Sequence, residues 1–355
     1  MKRRTFIQNS TAGSLAMAMP KLPNFLASVS ELRFGVAEAG YYMHWYRDMN
    51  STVYPPFKSA LDMIAHCQSL GFGGVQVNVR DWDREMVKQI KSIQGEQDFF
   101  VEGQIRMPRD QQDLDRFERE IKMAKGAGVE IFRAVSLSGR RYENFNSMKE
   151  FMAFREESVA GIQRAEPVVR RHRVKLAMEN HKDWRIDEMV EILKLIDSEW
   201  VGVTLDTGNN IALLEDPMKV VEALAPYAMS VHLKDMGVEE YENGFLLSEV
   251  NLGEGYLDIQ GMIQTIRQHN PDIRFNLEMI TRDPLEIPCL TEKYWATFNQ
   301  ISALELAAYL HDIRQHKSKQ HLPRISNNPP DVQLAMEVEN NRTCLQQARK
   351  QYGFK

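Results

Sequence analysis

Val201-Gly202-Val203-Thr204-Leu205-Asp206-Thr207-Gly208-Asn209 is a short apolar run that stops abruptly on an acid and a turn. A run this short, rich in Val and Leu and set between helix-length spacers, reads as a parallel strand buried on both faces. Three other runs end in the same way: Val174-Lys175-Leu176-Ala177-Met178-Glu179, Met229-Ser230-Val231-His232 and Ile273-Arg274-Phe275-Asn276-Leu277-Glu278. In a closed barrel of such strands the C-terminal strand ends meet at one mouth, where these folds do their chemistry. Three carboxylates and an imidazole converging there would repel one another unless a divalent cation joined them. Glu179, Asp206, His232 and Glu278 are therefore the candidate metal ligands.

Outward from these runs, strand and helix patterns alternate. Earlier strands are expected at 32–37, 75–79, 99–104 and 129–135. Helical patterns cover 58–70, 84–93, 111–125, 147–171, 186–196, 217–224 and 259–267, the first closing at Gly71, a residue suited to a helix C-terminus. Eight strands, each followed by a helix, predict an α/β chain folded as a single (β/α)8 TIM barrel over residues 31–316. A doubly wound open sheet fits less well, because polar strand ends recur across the whole second half and not at one switch point. Beyond His316 the chain turns polar, and 317–355 reads as a C-terminal extension, packed on the barrel or partly mobile. Residues 1–30 read as a twin-arginine signal peptide: Lys2-Arg3-Arg4-Thr5-Phe6-Ile7, a mild apolar stretch through Leu15 and Met19, then small residues at Ser28-Val29-Ser30. That predicts export of the folded protein to the periplasm; the competing reading is a cytoplasmic protein with a basic N-terminus.

Composition narrows the partners. Hydrophobic content of 43% and charged content of 26% over 355 residues suit a large globular enzyme. A net charge of −5 offers no basic footprint for nucleic acid. No run of about eighteen apolar residues occurs, so stable membrane insertion is not expected. Cys67, Cys289 and Cys344 are too widely spaced for a disulfide framework or a thiolate zinc site. A homo-oligomer is compatible with all of this.

Glu179-Asn180-His181, Leu205-Asp206-Thr207-Gly208, Val231-His232-Leu233-Lys234-Asp235, Leu252-Gly253-Glu254-Gly255 and Leu277-Glu278 together resemble the xylose-isomerase-like barrels. That group includes sugar phosphate isomerases and epimerases, ketose 3-epimerases and inosose dehydratases. The resemblance runs from about Leu32 to about Asp283. It implies that the family's ordered metal quartet falls on Glu179, Asp206, His232 and Glu278, and that Glu179 and Glu278 also move protons on opposite faces of a bound sugar. One departure stands out: where the family often has a His three residues after the metal-binding Asp, this chain has Asn209. The absence of a Gly-rich phosphate loop favours an unphosphorylated sugar or keto-sugar as the small-molecule substrate.

A set of three carboxylates and one neutral imidazole offers mostly oxygen donors. It suits one divalent ion, Mn2+ first, with Mg2+, Co2+ or Zn2+ also accommodated. Such an ion would polarise a sugar carbonyl and stabilise an enediolate. Candidate substrate contacts are His181, Asn209, Lys234, Arg282, and the aromatic segment after the first strand that contains His44 and Trp45. Each has a plainer reading: a backbone-bonded imidazole for His181, a solvated turn for Lys234 and Asp235, a surface arginine for Arg282, loop packing for His44 and Trp45. The expected activity is a metal-dependent sugar isomerase or epimerase. The alternatives are a metal-dependent lyase or hydratase on an oxidised (keto) sugar or glycoside, and a non-catalytic sugar-binding barrel, against which the intact Glu179 and Glu278 argue.

Overall fold

The computed structural model describes residues 32–47, 49–298 and 301–355. The twin-arginine segment lies outside them. Eleven strands follow in chain order: β1 (Phe34–Ala37), β2 (Gly74–Asn78), β3 (Phe100–Gln104), β4 (Ile131–Ala134), β5 (Lys175–Glu179), β6 (Val201–Asp206), β7 (Ala228–Leu233), β8 (Asp235–Tyr241), β9 (Gly244–Val250), β10 (Phe275–Leu277) and β11 (Leu285–Ile287). Eight of them close into a parallel barrel in the order β1-β10-β7-β6-β5-β4-β3-β2. The expected TIM barrel is present, with its eight strands where the apolar runs lie.

Helix boundaries follow local chemistry. Ser59 and Asp62 form a reciprocal capping box at the start of Ala60–Leu70, and Gly71 ends that helix at φ 91°, a left-handed conformation that suits glycine. Ser147 caps the long helix Met148–His172, and Asp258 caps Ile259–His269. Val75, Val77, Val101, Leu176, Val203, Val231 and Phe275 are sealed from solvent and form one core with the apolar faces of the helices.

Two features go beyond the sequence reading. First, β7 does not lead directly into a helix. After Lys234 the chain makes the antiparallel pair β8–β9, which β11 joins as a separate three-stranded sheet. This sheet has its own apolar cluster, including Met236, Val238, Phe245, Leu247 and Ile287. Second, the 317–355 extension, expected to pack on the barrel or to be partly mobile, packs on it closely enough to share its core. The helix Pro330–Tyr352 contributes Val338, Cys344, Leu345 and Ala348 to the barrel's own core. Phe354 just beyond it packs on Phe34 and Phe275, with ring centroids 4.6 and 5.3 Å apart. Leu32 and Phe354 form a parallel bridge. The segment that follows the eighth barrel strand at a distance thus covers β1 and β10.

Candidate metal centre

Strand register brings the four candidate ligands together. Asp206 at the end of β6 is the direct neighbour of His232 on β7, and His232 is paired in turn with Asn276 on β10. Glu179 ends β5, one strand beyond β6. Glu278 lies one residue past β10, its N–H donating to the Leu233 carbonyl at 3.0 Å. Each residue offers one ligand atom to a group whose members all lie within 4.8 Å of one another, and all four side chains are buried.

Each ligand is oriented by a hydrogen bond made elsewhere. His232 Nε2 is 2.7 Å from Gln76 Oε1. The Gln76 amide is fixed because its NH2 donates to Glu102 Oε2 and Ser230 Oγ, so its oxygen faces the imidazole and Nε2 carries the proton. The Nδ1 lone pair is then bare, 3.2 Å from Glu278 Oε1, 3.5 Å from Glu179 Oε2 and 3.9 Å from Asp206 Oδ2. Asp206 Oδ1 accepts the N–H groups of Gly208 and Asn209 at 2.9 and 2.7 Å, which leaves Oδ2 to face the centre. His232 Nδ1 and Asp206 Oδ2 are both buried without a hydrogen-bond partner. Lys234 Nζ approaches Asp206 Oδ2 to 2.9 Å as an ion pair, without hydrogen-bond alignment. Two unpartnered donor atoms among three carboxylates are what a divalent cation requires, so the donor set fits one.

The surrounding cations shape the acids. Burial pushes the Glu179 carboxyl up, but Arg133 and His232 together hold it below the usual carboxylate range. Arg133 donates to Glu179 Oε2, while Asn209 Nδ2 donates to Oε1 at 3.0 Å. Glu278 is held well below its ordinary value because Lys234 and His232 overcome the effect of burial. Burial raises Asp206 to about 6 although Lys234 opposes it. Burial would lower the Lys234 ammonium, and Asp206, Glu278 and Glu249 reverse that and raise it.

The predicted substrate contacts separate into two groups. Lys234, Asn209 and Arg282 are joined to the centre: Lys234 pairs with Glu278, Asn209 bridges Glu179 to two lysines, and Arg282 binds Glu249, whose carboxylate is also 3.9 Å from Lys234 Nζ. His181 is next to the centre, its Nδ1 buried without a partner, and burial reinforced by Lys182 depresses its imidazole to about 3. His44 and Trp45, in contrast, turn into packing. His44 Nδ1 is 2.5 Å from Glu337 Oε2 and its ring stacks on Phe57, and Trp45 Nε1 donates to Met63 Sδ. The short helix Tyr42–Tyr46 directs both against the helices Ala60–Leu70 and Pro330–Tyr352. Asp235 is neither a substrate contact nor solvated. Its buried carboxylate accepts the N–H groups of Met236, Gly253, Gly255 and Leu257 and so fixes the Leu252–Gly255 motif, where a Cβ on Gly255 would sit 2.1 Å from Asp235 Oδ1.

Gln76, Glu102, Lys182 and Glu249 were not singled out from the sequence. Gln76 and Glu102 carry a usable signal, since each is a polar residue within a buried strand run, Val75-Gln76-Val77 and Val101-Glu102-Gly103. Lys182 carries none, because it stands in the polar stretch Asn180-His181-Lys182-Asp183, and Glu249 follows the apolar run Phe245-Leu246-Leu247, where no strand was expected.

Comparison with known proteins agrees with this architecture. Residues 64–297, most of the chain, match the family described as the xylose isomerase-like TIM barrel. The chain belongs to that family. A curated relative, 3-oxo-isoapionate decarboxylase of Pectobacterium atrosepticum, is 28% identical over 185 residues, 51% of this chain and 64% of that enzyme, less than two thirds of its length. Among solved structures, D-psicose 3-epimerase in the presence of D-fructose superposes with a TM-score of 0.57 at 14% identity, covering 91% of this chain and 100% of that one. A xylose isomerase-like barrel protein from Mycobacterium smegmatis in complex with magnesium gives 0.53 at 15% identity, covering 79% and 97%. The 3-keto-D-glucoside 4-epimerase of E. coli gives 0.51 at 13% identity, covering 79% and 100%. At these identities the structures share the xylose isomerase-like fold with this chain.

Proposed function

We propose that this protein is a metal-dependent isomerase or epimerase of an unphosphorylated sugar or keto-sugar. The observation that carries the reading is the position of two ionised glutamates about one centre. Glu179 and Glu278 stand on strands separated by β6 and β7, so they approach His232 Nδ1 from two sides. Glu179, Asp206, His232 and Glu278 would hold one divalent cation, Mn2+ foremost by donor hardness, which when bound supplies Lewis-acid polarisation of a carbonyl. Glu179 Oε2 accepts a proton from the carbon beside that carbonyl, and Glu278 Oε1, having first taken a proton from solvent, delivers it to the other face, after which Glu179 gives its proton up to solvent. Arg133 helps keep Glu179 ionised, which is the state a base needs, and Lys234 beside Glu278 makes that carboxyl a ready donor once it is protonated. Asn209, through Nδ2, aims the Glu179 carboxylate.

A second reading, a lyase acting on a keto-sugar, has a specific observation in its favour. Glu278 is locked to Lys234, which suits one-way proton handling better than exchange at both faces. The decarboxylase relative points the same way. Both reactions begin by building negative charge next to a carbonyl, and they part at the product. Incubating the Mn2+-loaded protein with ketoses and keto-sugars in deuterated water and following products by mass spectrometry separates them. Isomers carrying solvent deuterium are expected. Products lighter by water or carbon dioxide would replace the isomerase reading with the lyase, and no deuterium entry into any substrate would remove both.

Export to the periplasm is proposed on the strength of Arg3-Arg4 and the apolar stretch after them. Changing both arginines to lysine should leave the protein in the cytoplasm, and an unchanged distribution on fractionation would overturn the proposal.

A further inference from the structure

The mouth of the barrel carries more positive charge than its remaining carboxylates balance, once Glu179, Asp206 and Glu278 are committed to a cation. This inference rests on that metal-centre reading. Lys182, in the loop after β5, is only 4% exposed. Its ammonium donates to Asn209 Oδ1, and no carboxylate lies within ion-pair distance of it among the described residues. Lys234 Nζ reaches the same amide oxygen at 3.4 Å. Two buried ammonium groups thus converge on one neutral acceptor, an arrangement that is costly unless an anion joins them.

The nearby acids do not supply one. Lys234 is paired with Asp206 and Glu278, both metal ligands. Arg133 is paired with Glu179, a third. Glu249 is the remaining carboxylate of the group, and Arg282 grips it through Nε at 3.1 Å and Nη2 at 2.5 Å. Asp235 is committed to backbone N–H groups, and so is Asp183, through those of Leu137 and Trp184. Lys182, Lys234 and Arg282 therefore share a single carboxylate that is not a ligand. Arg282 is also the point where the group reaches outside: its side chain is 28% exposed and lines a cleft of about 460 Å³ with Tyr42, Arg47, Arg140 and Thr281.

We propose that the substrate provides the missing negative charge as a carboxylate held by Lys182 and Lys234, with Arg282 toward the mouth. The substrate class is then a keto-sugar acid, not a neutral sugar. Lys234 touches two of the candidate metal ligands and Lys182 shares Asn209 with a third, so the anion belongs close to the carbons being acted on. A carboxyl directly on the sugar chain meets that requirement. A phosphate at the far end of the sugar does not, and no Gly-rich phosphate loop accompanies the cations.

The test uses probes that differ at one carbon. 2-Keto-D-gluconate carries a carboxylate where D-fructose carries a hydroxymethyl group. Calorimetric titration of the Mn2+-loaded protein should show the acid binding at least about tenfold more tightly than the ketose, the gain of roughly one charge-assisted contact. Lys182→Met should erase that preference, taken as the ratio of the two affinities in the same variant, and Lys182→Arg should retain most of it. Circular dichroism of both variants verifies the fold. Equal binding of the two probes by wild type, or a preference that survives Lys182→Met, overturns the proposal. So does tighter, Lys182-dependent binding of D-fructose 6-phosphate. Metal content is read independently by elemental analysis. Protein that takes up no metal overturns the centre on which the inference rests, whereas loaded protein without a carboxylate preference overturns the inference alone.

Discussion

Two buried histidines at the C-terminal side of barrel strands have opposite surroundings. His232, on β7, directs a bare Nδ1 at three carboxylates whose nearest oxygens are 3.2 to 3.9 Å away. His44, beyond β1, meets one carboxylate, Glu337, which also accepts the backbone N–H groups of Met43 and His44 at 2.7 and 3.2 Å. In the second case donors and acceptors balance, and the arrangement is a pin between the β1 loop and the helix Pro330–Tyr352. In the first, acceptors crowd a bare nitrogen, and the set fits a cation. What distinguishes a ligand from an anchor here is the ratio of partners around the ring, not the residue type or its place on a strand.

Breaking the anchor should give the largest change. Glu337→Ala strands the Met43 and His44 N–H groups and the imidazole in a sealed environment. It should cost about 3–5 kcal/mol of stability, read by denaturant unfolding, while metal stoichiometry in the folded fraction is unchanged. A loss of bound metal in that variant would mean that the two histidines are coupled after all. On the ligand side, Glu179→Gln and Glu278→Gln should each lower kcat by at least about a hundredfold with little change in melting temperature. Near-normal turnover with metal retained would remove that glutamate from proton transfer.

Gln76→Leu tests whether the tautomer of His232 is set from inside the barrel. Metal affinity should fall about ten- to a hundredfold, measured by competition with a chelator, as for the loss of a hydrogen bond to a metal-binding imidazole. Unchanged affinity would show that the imidazole is oriented by the strand alone.

The smallest effect concerns His66, which faces His44 in the anchor region. Burial, helped by His44 and Arg342, pushes its imidazole down to about 4. Between about pH 6.5 and pH 4 the unfolded chain therefore binds a proton that the folded chain refuses, so stability is full above that window and declines as pH falls through it. His66→Gln should flatten the decline in this range. An identical pH profile for wild type and variant would assign the decline to other groups.

The barrel was legible in the sequence because its strands are apolar runs that end on polar residues, and such runs have little else to become. Val201–Asp206 and Lys175–Glu179 illustrate this. The β8–β9 hairpin escaped because β8 begins at Asp235, one residue after Lys234 and two after β7 ends, so no spacer announces a new element. The helix Pro330–Tyr352 escaped for another reason. Its inward face contains Glu337 and Asn341 between Leu334, Val338 and Leu345, and two polar residues there erase the helical hydrophobic signal. The candidate ligands were legible for the same reason as the strands. The groups that orient them were not, since Gln76 reaches His232 across 156 residues of chain and Lys182 reaches Asn209 across 27.

The seam between the β1 region and the far end of the chain has a consequence for synthesis. Met43 and Glu337 are 294 residues apart, and β1 needs β10 on one edge and Phe354 over its face. While the ribosome is still extending the chain, β1 has β2 beside it but neither of those partners, and its second edge stays open. Contacts of such high sequence separation form late and slowly. An open strand edge invites pairing with other chains in the meantime. Ring closure therefore waits for β10, and the cover supplied by Glu337 and Phe354 forms after it.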